Sequence, residues 1–267
     1  LTGRETFAIK GLADLKPREE LTIEFTREDG TTGSFQALAR IDGADFDFGA
    51  GFEPDVAKLM DELPATDELK KKYPKAVALT VLDHAVVKAS PDGSAVSYVN
   101  MLYKLLDEKG VEKYSDQARS GETLEIAAYL PDGTRMLPTG LGGRSYNMEG
   151  LVPGSFVHHR FVNFQGPGKD GKFDPGGFYF QDHDLRRNPN PVLRSRWVIL
   201  TPKDMKLTPE VRNFGEDPKV EEFEGMSATI WEKRDMPRIT SERNMPPVDE
   251  IVPFINYSEP ETFDDAN

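Results

Sequence analysis

The chain has 267 residues, of which 37% are hydrophobic and 30% are charged, and its formal net charge is −13. A chain of this length can bury a core for one large domain or two modest ones without covalent cross-links. The acidic balance disfavours binding to nucleic-acid phosphates and to anionic membrane surfaces. No cysteine is present, which excludes disulfides, iron–sulfur clusters and cysteine nucleophiles from this chain.

Composition also indicates the fold class. The 23 glycines and 20 prolines favour many turns over long helices and so a mainly β protein. No apolar run approaches the roughly 18 residues that span a bilayer, so we expect no membrane insertion. The chain begins at Leu1 rather than at a methionine, and we therefore expect it to be a fragment.

Residues 1–42 predict a small unit built on one β-hairpin. Leu21–Arg27 alternates apolar and polar side chains, Glu28-Asp29-Gly30 predicts the turn, and Ser34–Ile41 predicts the return strand. The run LTGRETFAIKGLADLKP, followed by ELTIEFTREDGTTGSFQALARID, resembles the closing part of the swivelling domain of bacterial aconitate hydratase. That resemblance implies isomerisation of a tricarboxylate on an iron–sulfur cluster whose ligands lie upstream of this tail. The chain departs from that family after Asp42.

Residues 43–75 predict a linker that contains a short helix. Glu53–Leu63 has a proline in its first turn and apolar residues at helical spacing. A second helical turn is predicted over Thr66–Lys72, before Pro74. The apolar stripe of the first helix indicates a core contact.

Residues 76–258 predict one large antiparallel β-sandwich. Extended runs flank Pro91-Asp92-Gly93 and Pro131-Asp132-Gly133, which are the clearest hairpin turns. Further strands are predicted over Ser155–Phe164, Phe178–Phe180, Pro191–Leu200, Met205–Leu207, Ala228–Lys233 and Arg238–Ile239. Short strands at this spacing with few helical patterns are typical of a sandwich. Residues 259–267 predict an acidic, disordered tail.

Four ordered segments of this β-domain carry a second resemblance. They are KLLDEKGVEKYSD, LVPGSFVHHRFVNF, NPVLRSRWVILTP and IWEKRDMPRITSERNMPPVDEIVPFINYS. Their order resembles the bacterial domain of unknown function that precedes transglutaminase-like domains. The resemblance implies that a following domain with a Cys/His/Asp site performs the catalysis. This chain has no cysteine to supply that nucleophile.

Histidines are the first candidates for a metal or catalytic site. His158, His159 and His183 are clustered, and Asp182 and Asp184 flank His183, which is a conceivable ligand set. Adjacent residues of a strand point to opposite faces, so His158 and His159 cannot simply bind one ion. We therefore expect structural roles for these histidines. His84, within a strand, is likewise expected to be packed.

Other candidates are weaker. Ser155 lacks the sequence context of a nucleophile elbow, and the glycines of 140–144 and 166–177 lack a phosphate-loop lysine and a following helix. Two clusters of acidic residues could supply the paired carboxylates of glycoside chemistry. They are Glu221, Glu222 and Glu224, and Glu242, Asp249 and Glu250. Four arginines, Arg186, Arg187, Arg194 and Arg196, are expected on a solvated or ion-paired strand edge. Trp197 and Trp231 are expected in the core, whereas an exposed pair would indicate peptide or glycan binding.

The sequence thus predicts no catalytic, cofactor-binding or metal-binding residues in this chain. The leading hypothesis is a non-catalytic sandwich module that binds or positions a peptide substrate for a transglutaminase- or cysteine-protease-like domain that follows in cis. A remnant of aconitate hydratase and a carbohydrate-binding sandwich are the alternatives. The first hypothesis implies an extracytoplasmic or periplasmic location, and the aconitase alternative implies a cytoplasmic one. No nucleic-acid partner is expected.

Overall fold

The computed structural model describes residues 20–26, 32–38, 47–118, 120–139, 145–167, 172–182, 189–240 and 242–258. Contacts divide the chain into two compact units, residues 1–47 and 48–267. In the first unit, β1 (Glu20–Thr26) and β2 (Thr32–Leu38) pair antiparallel. The predicted N-terminal hairpin is therefore confirmed. The predicted tail over residues 259–267 lies outside the described residues.

Three short helices follow: α1 (Asp47–Ala50), which begins at the last residue of the first unit, and α2 (Val56–Asp61) and α3 (Thr66–Lys72) of the second unit. The Asp55 carboxylate caps α2 by accepting a hydrogen bond from the Lys58 backbone N–H at 3.0 Å. Apolar side chains of α2 and α3 pack on buried leucines of the following strands, as the helical spacing indicates.

The rest of the second unit is almost entirely β-structure. Its elements are β3 (Ala78–Ala89), β4 (Ala95–Leu105), α4 (Glu108–Tyr114), β5 (Asp116–Ala118), β6 (Glu122–Tyr129), β7 (Arg135–Met136), β8 (Ser145–Asn147), β9 (Phe156–Gln165), β10 (Gly177–Tyr179), β11 (Val192–Thr201), β12 (Thr208–Arg212), β13 (Lys219–Phe223), β14 (Met226–Met236), a 3-10 turn (Val248–Glu250) and β15 (Phe254–Ser258). The mainly β fold class is thereby confirmed.

One large sheet organises this unit, with the strand order β13-β14-β11-β3-β4-β9-β6-β7. Every neighbouring pair is antiparallel except β11 and β3, which run parallel. The large sheet is therefore mixed rather than purely antiparallel. The parallel pair arises because β11 arrives from a distant part of the chain and inserts beside β3, instead of folding back on it through a hairpin.

A three-stranded sheet, β10-β15-β12, covers one face of the large sheet. Their shared core contains Phe180, Trp197, Trp231 and Ile255. The Trp231 Nε1–H donates to the Tyr257 hydroxyl at 2.9 Å, so the buried indole N–H is satisfied. The two tryptophans are 2% and 3% exposed, which confirms their predicted core positions and leaves no exposed pair to line a glycan groove.

Residues 108–114 form α4, and the Asp107 carboxylate caps this helix by accepting from the Gly110 N–H at 3.0 Å. Two local predictions were wrong. Met205–Leu207 and Arg238–Ile239 are loops rather than strands. In both loops apolar side chains reach the core or lie buried without strand pairing, so apolar content alone did not specify an extended ladder. Within the described residues, no helix is long and apolar enough to cross a membrane.

Candidate functional site

A cleft of about 780 Å3 lies on the face of the large sheet that also carries the tryptophan core. Its floor includes Asp83, Met101 and His159, which are consecutive cross-strand neighbours on β3, β4 and β9. Residues of α4, β5 and the segment 179–182 line its walls. This volume lies within the range of roughly 300–1,000 Å3 that is typical of small-ligand sites.

Asp83 is a carboxyl group in the cleft whose pKa is strongly shifted. Burial raises the pKa of its carboxyl to about 7, and the nearby charge of Asp182 acts in the same direction. The Ser195 hydroxyl donates to Asp83 Oδ2 at 3.4 Å and opposes the shift. A carboxyl that titrates near neutral pH can both donate and accept a proton, which is a property common at functional sites.

Asn190 fixes the wall of the cleft that faces Asp83. Its side-chain amide donates to the Tyr114 hydroxyl at 2.6 Å and to the Thr80 hydroxyl at 3.3 Å. Its side-chain oxygen accepts from Lys113 Nζ at 3.2 Å, and its backbone N–H donates to Asp182 Oδ2 at 2.7 Å. One buried asparagine therefore positions a cation, a phenol and a carboxylate around the same space.

His159 does not form a catalytic triad with Ser195 and Asp83. Ser195, Asp83, Met101 and His159 occupy four successive strands, so three strand spacings of about 4.8 Å separate the serine from the histidine by roughly 14 Å. Burial, with His158 as a neighbour, lowers the pKa of His159 to about 4. The ring is therefore neutral at physiological pH, and it packs 4.8 Å from the ring of Phe161.

The cleft combines negative charge with aromatic surface. Asp83, Asp116 and Asp182 line it, and Lys113 is the cation among its described lining residues. The rings of Tyr103 and Tyr114 lie 4.5 Å apart, and Phe161 and Tyr179 contribute further aromatic surface. Carboxylates beside aromatic faces suit a ligand that carries a basic group on an apolar stem, such as a lysine or arginine side chain.

The two adjacent histidines lie on opposite faces of the sheet. His159 lines the cleft, whereas His158 Nε2 donates to the Asn100 side-chain oxygen at 2.8 Å on the other face. His183 and Asp184 lie outside the described residues, so their candidate metal set with Asp182 stays a hypothesis. Among the residues that the structure does describe, no group of three or more His, Asp or Glu side chains is placed to hold a metal ion.

The remaining sequence candidates are scattered. Ser155 is buried in a turn, where its hydroxyl accepts from the Val152 N–H at 3.1 Å. Glu221, Glu222 and Glu224 lie on or beside the edge strand β13, while Glu242 and Glu250 are exposed elsewhere. The side chain of Asp249, residues 140–144 and 168–171, Arg186 and Arg187 lie outside what the structure describes.

Arg194 and Arg196 are ion-paired, but on an interior strand. Both contact Glu232 Oε2, at 3.0 Å and 3.6 Å, and β11 lies between β14 and β3 rather than at an edge. Arg196 also donates to the Phe52 carbonyl at 2.6 Å. The pair therefore belongs to the sheet surface opposite the cleft.

Sequence reasoning missed the residues that matter most in the cleft. Asp83 interrupts the β-branched run of β3, and a charged residue between buried neighbours is a signal that could have singled it out. Asn190 had no comparable signal, because its role depends on partners from β3, from α4 and from the segment 179–182.

Comparison with known proteins finds two kinds of similarity, and no protein-family model matches the chain. Aconitate hydratase A of Pseudomonas aeruginosa is 54% identical over 43 residues, and that of Thermus thermophilus is 55% identical over 42 residues. Each alignment covers 16% of this chain and 5% of the enzyme. The similarity to aconitate hydratase is thus confirmed as local.

Among solved structures, a Parabacteroides distasonis protein described as a "putative protease" has a similar fold. The TM-score is 0.54 at 16% sequence identity, and the match covers 69% of this chain and 41% of that protein. At this identity the likeness concerns the fold alone. The chain spans less than half of the length of the Parabacteroides protein.

Proposed function

We propose that residues 48–258 are a non-catalytic β-sandwich module, accessory to a catalytic domain of the transglutaminase or cysteine-protease type. The observation that carries this proposal is the fold shared with the Parabacteroides protein, of which only 41% is matched. A domain of this shape therefore occurs as one part of a longer chain described as a protease. The four ordered segments that resemble the transglutaminase-associated domain support the same conclusion.

We propose that this module binds a peptide segment of the substrate. The cleft has a suitable volume of about 780 Å3. Its three aspartates and aromatic rings favour a segment with a basic side chain. The nucleophile of such an enzyme would come from the catalytic domain, because this chain has no cysteine.

The first experiment tests the partnership. The reading frame beyond Asn267 is sequenced, and the segment that it encodes is produced separately and mixed with this chain at high concentration. We expect a Cys/His/Asp domain that associates with the module and that turns over peptides faster in its presence. A frame without such a domain, or a domain that neither associates nor responds, would refute the accessory role.

The second experiment tests the cleft. A fluorescent peptide with a central lysine is titrated into the wild type, Asp182→Asn and the matched control Asp217→Asn, which changes an exposed carboxylate. Loss of one partly buried ion pair weakens binding by roughly tenfold or more. Among the three proteins, we expect this loss of affinity only for Asp182→Asn. We expect the same loss in the wild type when norleucine replaces the lysine of the peptide. Equal affinities throughout would exclude the cleft as the peptide site.

For the N-terminal segment we propose descent from the closing part of aconitate hydratase, without its activity. The local identities of 54% and 55% favour this origin. The cysteine-free sequence provides no ligands for an iron–sulfur cluster of that kind. We expect no citrate–isocitrate isomerisation by this chain after iron and sulfide reconstitution. Measurable turnover would overturn both the proposed loss of aconitase activity and the proposed non-catalytic role of the module.

A further inference from the structure

On the face of the large sheet opposite the cleft, polar side chains form a continuous row across six adjacent strands. Consecutive members are cross-strand neighbours, in the order Glu125, Arg160, Asn100, His84, Arg196 and Glu232. Apolar neighbours such as Leu82 and Val86 on β3 are fully buried on either side of the row. Polar groups in such surroundings destabilise the fold unless they find partners.

Two members of this row, Asn100 and Arg160, surround the carboxylate of Glu53 together with Tyr98 of β4, and Glu53 itself comes from outside the sheet. Glu53 Oε1 accepts from the Tyr98 hydroxyl at 2.7 Å, from Asn100 Nδ2 at 2.6 Å and from Arg160 Nη1 at 3.4 Å. Tyr98 and Asn100 are 3% and 0% exposed. We call Tyr98, Asn100 and Arg160 the socket. Its three donors converge on one carboxylate oxygen.

Glu53 belongs to the segment Phe48–Pro54, which we call the strap. A Cβ at Gly49 would lie 2.5 Å from the Tyr98 ring, and one at Gly51 would lie 2.5 Å from the Phe223 ring, so the strap lies flat on these rings. Within the described residues, no backbone–backbone hydrogen bond joins the strap to a strand of the sheet. Besides Glu53, the strap is held by the Arg196 hydrogen bond to the Phe52 carbonyl and by the buried rings of Phe48 and Phe52. Its departure breaks these contacts but no strand ladder.

The row contains donors that the strap does not use. His84 is fully buried, and neither of its ring nitrogens forms a hydrogen bond within the described part of the chain. Burial and the charge of Arg196 lower the pKa of His84 to about 3, so the ring is neutral and carries one N–H. Arg160 Nε is also buried without an acceptor. Unpartnered groups beside an occupied socket indicate a site that can satisfy more acceptor atoms than Glu53 supplies.

A second cleft opens directly beside the socket. It has a volume of about 460 Å3, and its lining includes Glu53, Met60, Tyr129, His158 and Arg160. Arg160 Nη2 donates to Glu125 Oε2 at 2.5 Å, which fixes the orientation of the guanidinium at the end of this cleft. An incoming group can thus approach the socket from solvent.

We propose that the socket is a carboxylate-binding site and that Glu53 is its tethered internal occupant. When the strap leaves, the carboxylate of an acidic side chain or of a peptide C-terminus binds the same three donors. This inference goes beyond the proposed function, because it places a second ligand site on the opposite face from the peptide cleft. Tethering gives Glu53 a high effective concentration, so the strap inhibits binding of outside carboxylates.

Chemical rescue tests the proposal. Glu53→Ala empties the socket, and propionate, which matches the end of a glutamate side chain, is added at constant ionic strength. At ten times its dissociation constant, a ligand raises the ratio of folded to unfolded protein about elevenfold. We expect that gain for Glu53→Ala, and much less for the wild type and for the control Glu62→Ala, which alters an exposed carboxylate paired with Lys58.

Two further arms identify the donors and the source of the carboxylate. The double variant Glu53→Ala/Tyr98→Phe lacks one socket donor and should show a weaker propionate effect. N-acetylglutamate α-amide presents a side-chain carboxylate, and N-acetylglycine presents a terminal one. The compound that stabilises Glu53→Ala more strongly indicates whether the natural ligand is an acidic side chain or a peptide C-terminus. Equal propionate effects on Glu53→Ala, the double variant and Glu62→Ala would overturn the proposal.

Hydrogen exchange in the wild type decides the matter if Glu53→Ala does not fold. Saturating propionate should displace Glu53 and accelerate amide exchange in the strap several-fold relative to chloride, while exchange in β3 stays constant. Strap exchange that is identical in propionate and chloride would contradict the proposal.

Discussion

The carboxyl group of Asp83 should make the stability of the sandwich depend on pH. Burial raises its pKa from 3.8 to about 7 in the folded state. The folded state therefore holds one proton more than the unfolded chain between about pH 4 and pH 7. Stability falls as the pH rises through this window, because the unfolded chain releases that proton first. Asp83→Asn removes the titration and should stabilise the protein above pH 7.

The expected size follows from the shift. About three pKa units correspond to roughly 4 kcal/mol. Asp83 is partly exposed to the cleft, and water there screens the charge, so we expect a smaller effect of about 2 kcal/mol. This is the amount by which the advantage of Asp83→Asn over the wild type should grow between pH 5 and pH 8. The amide can still accept the hydrogen bond from Ser195.

Urea unfolding at pH 5, 6, 7 and 8 measures this difference. The chain has two tryptophans, and both lie in the sandwich core, so their fluorescence reports unfolding of this unit. Asp217→Asn, an exposed position, controls for the change in net charge and should show a flat difference. If the difference between Asp83→Asn and the wild type varies by less than about 0.5 kcal/mol over this range, the burial argument fails.

Three further substitutions test other parts of the unit by urea unfolding at pH 7. Gly49→Ala forces a methyl group against the Tyr98 ring and should lower the free energy of unfolding by about 1–3 kcal/mol. The control Gly166→Ala, with open space around it, should be nearly neutral. Equal losses of stability would contradict the close fit of the strap. Trp231→Phe removes a buried indole and its hydrogen bond and should cost about 2–4 kcal/mol, and a cost below about 1 kcal/mol would argue against its core position. His84→Leu removes two unpartnered nitrogens and should stabilise the protein by about 1 kcal/mol. In the wild type, stability falls as the pH is lowered from 6.5 to about 3, because the unfolded chain protonates this histidine first. His84→Leu should make that fall smaller. A destabilised His84→Leu would show that the ring has partners.

Local patterns predicted the elements that local chemistry specifies. The turn at Asp92-Gly93 joins β3 to β4, with Gly93 at a positive φ of 81° and the Asp92 carboxylate accepting from the Ser94 N–H at 3.0 Å. Asp132 and Gly133 repeat this arrangement between β6 and β7. These turns need only neighbouring residues, so the sequence alone was sufficient.

Pairings between distant segments were not predictable in this way. The parallel alignment of β11 with β3 joins segments about a hundred residues apart, and no turn residue specifies it. The row from Glu125 to Glu232 exists only when six strands take one register, because a shift of one residue would move each side chain to the other face. The cleft around Asp83 depends on the same long-range registers.

The insertion of β11 between β3 and β14 has a consequence for synthesis of the chain. A ribosome that makes 5–20 residues per second needs roughly 5–20 s to reach the end of β11 after completing β3. Until then the hairpin of β3 and β4 presents β3, twelve residues long and mostly apolar, as an open edge to other nascent chains. Such an edge is a template for aggregation, so a nascent chain that stalls before Val192 is the form of this protein that most needs a chaperone.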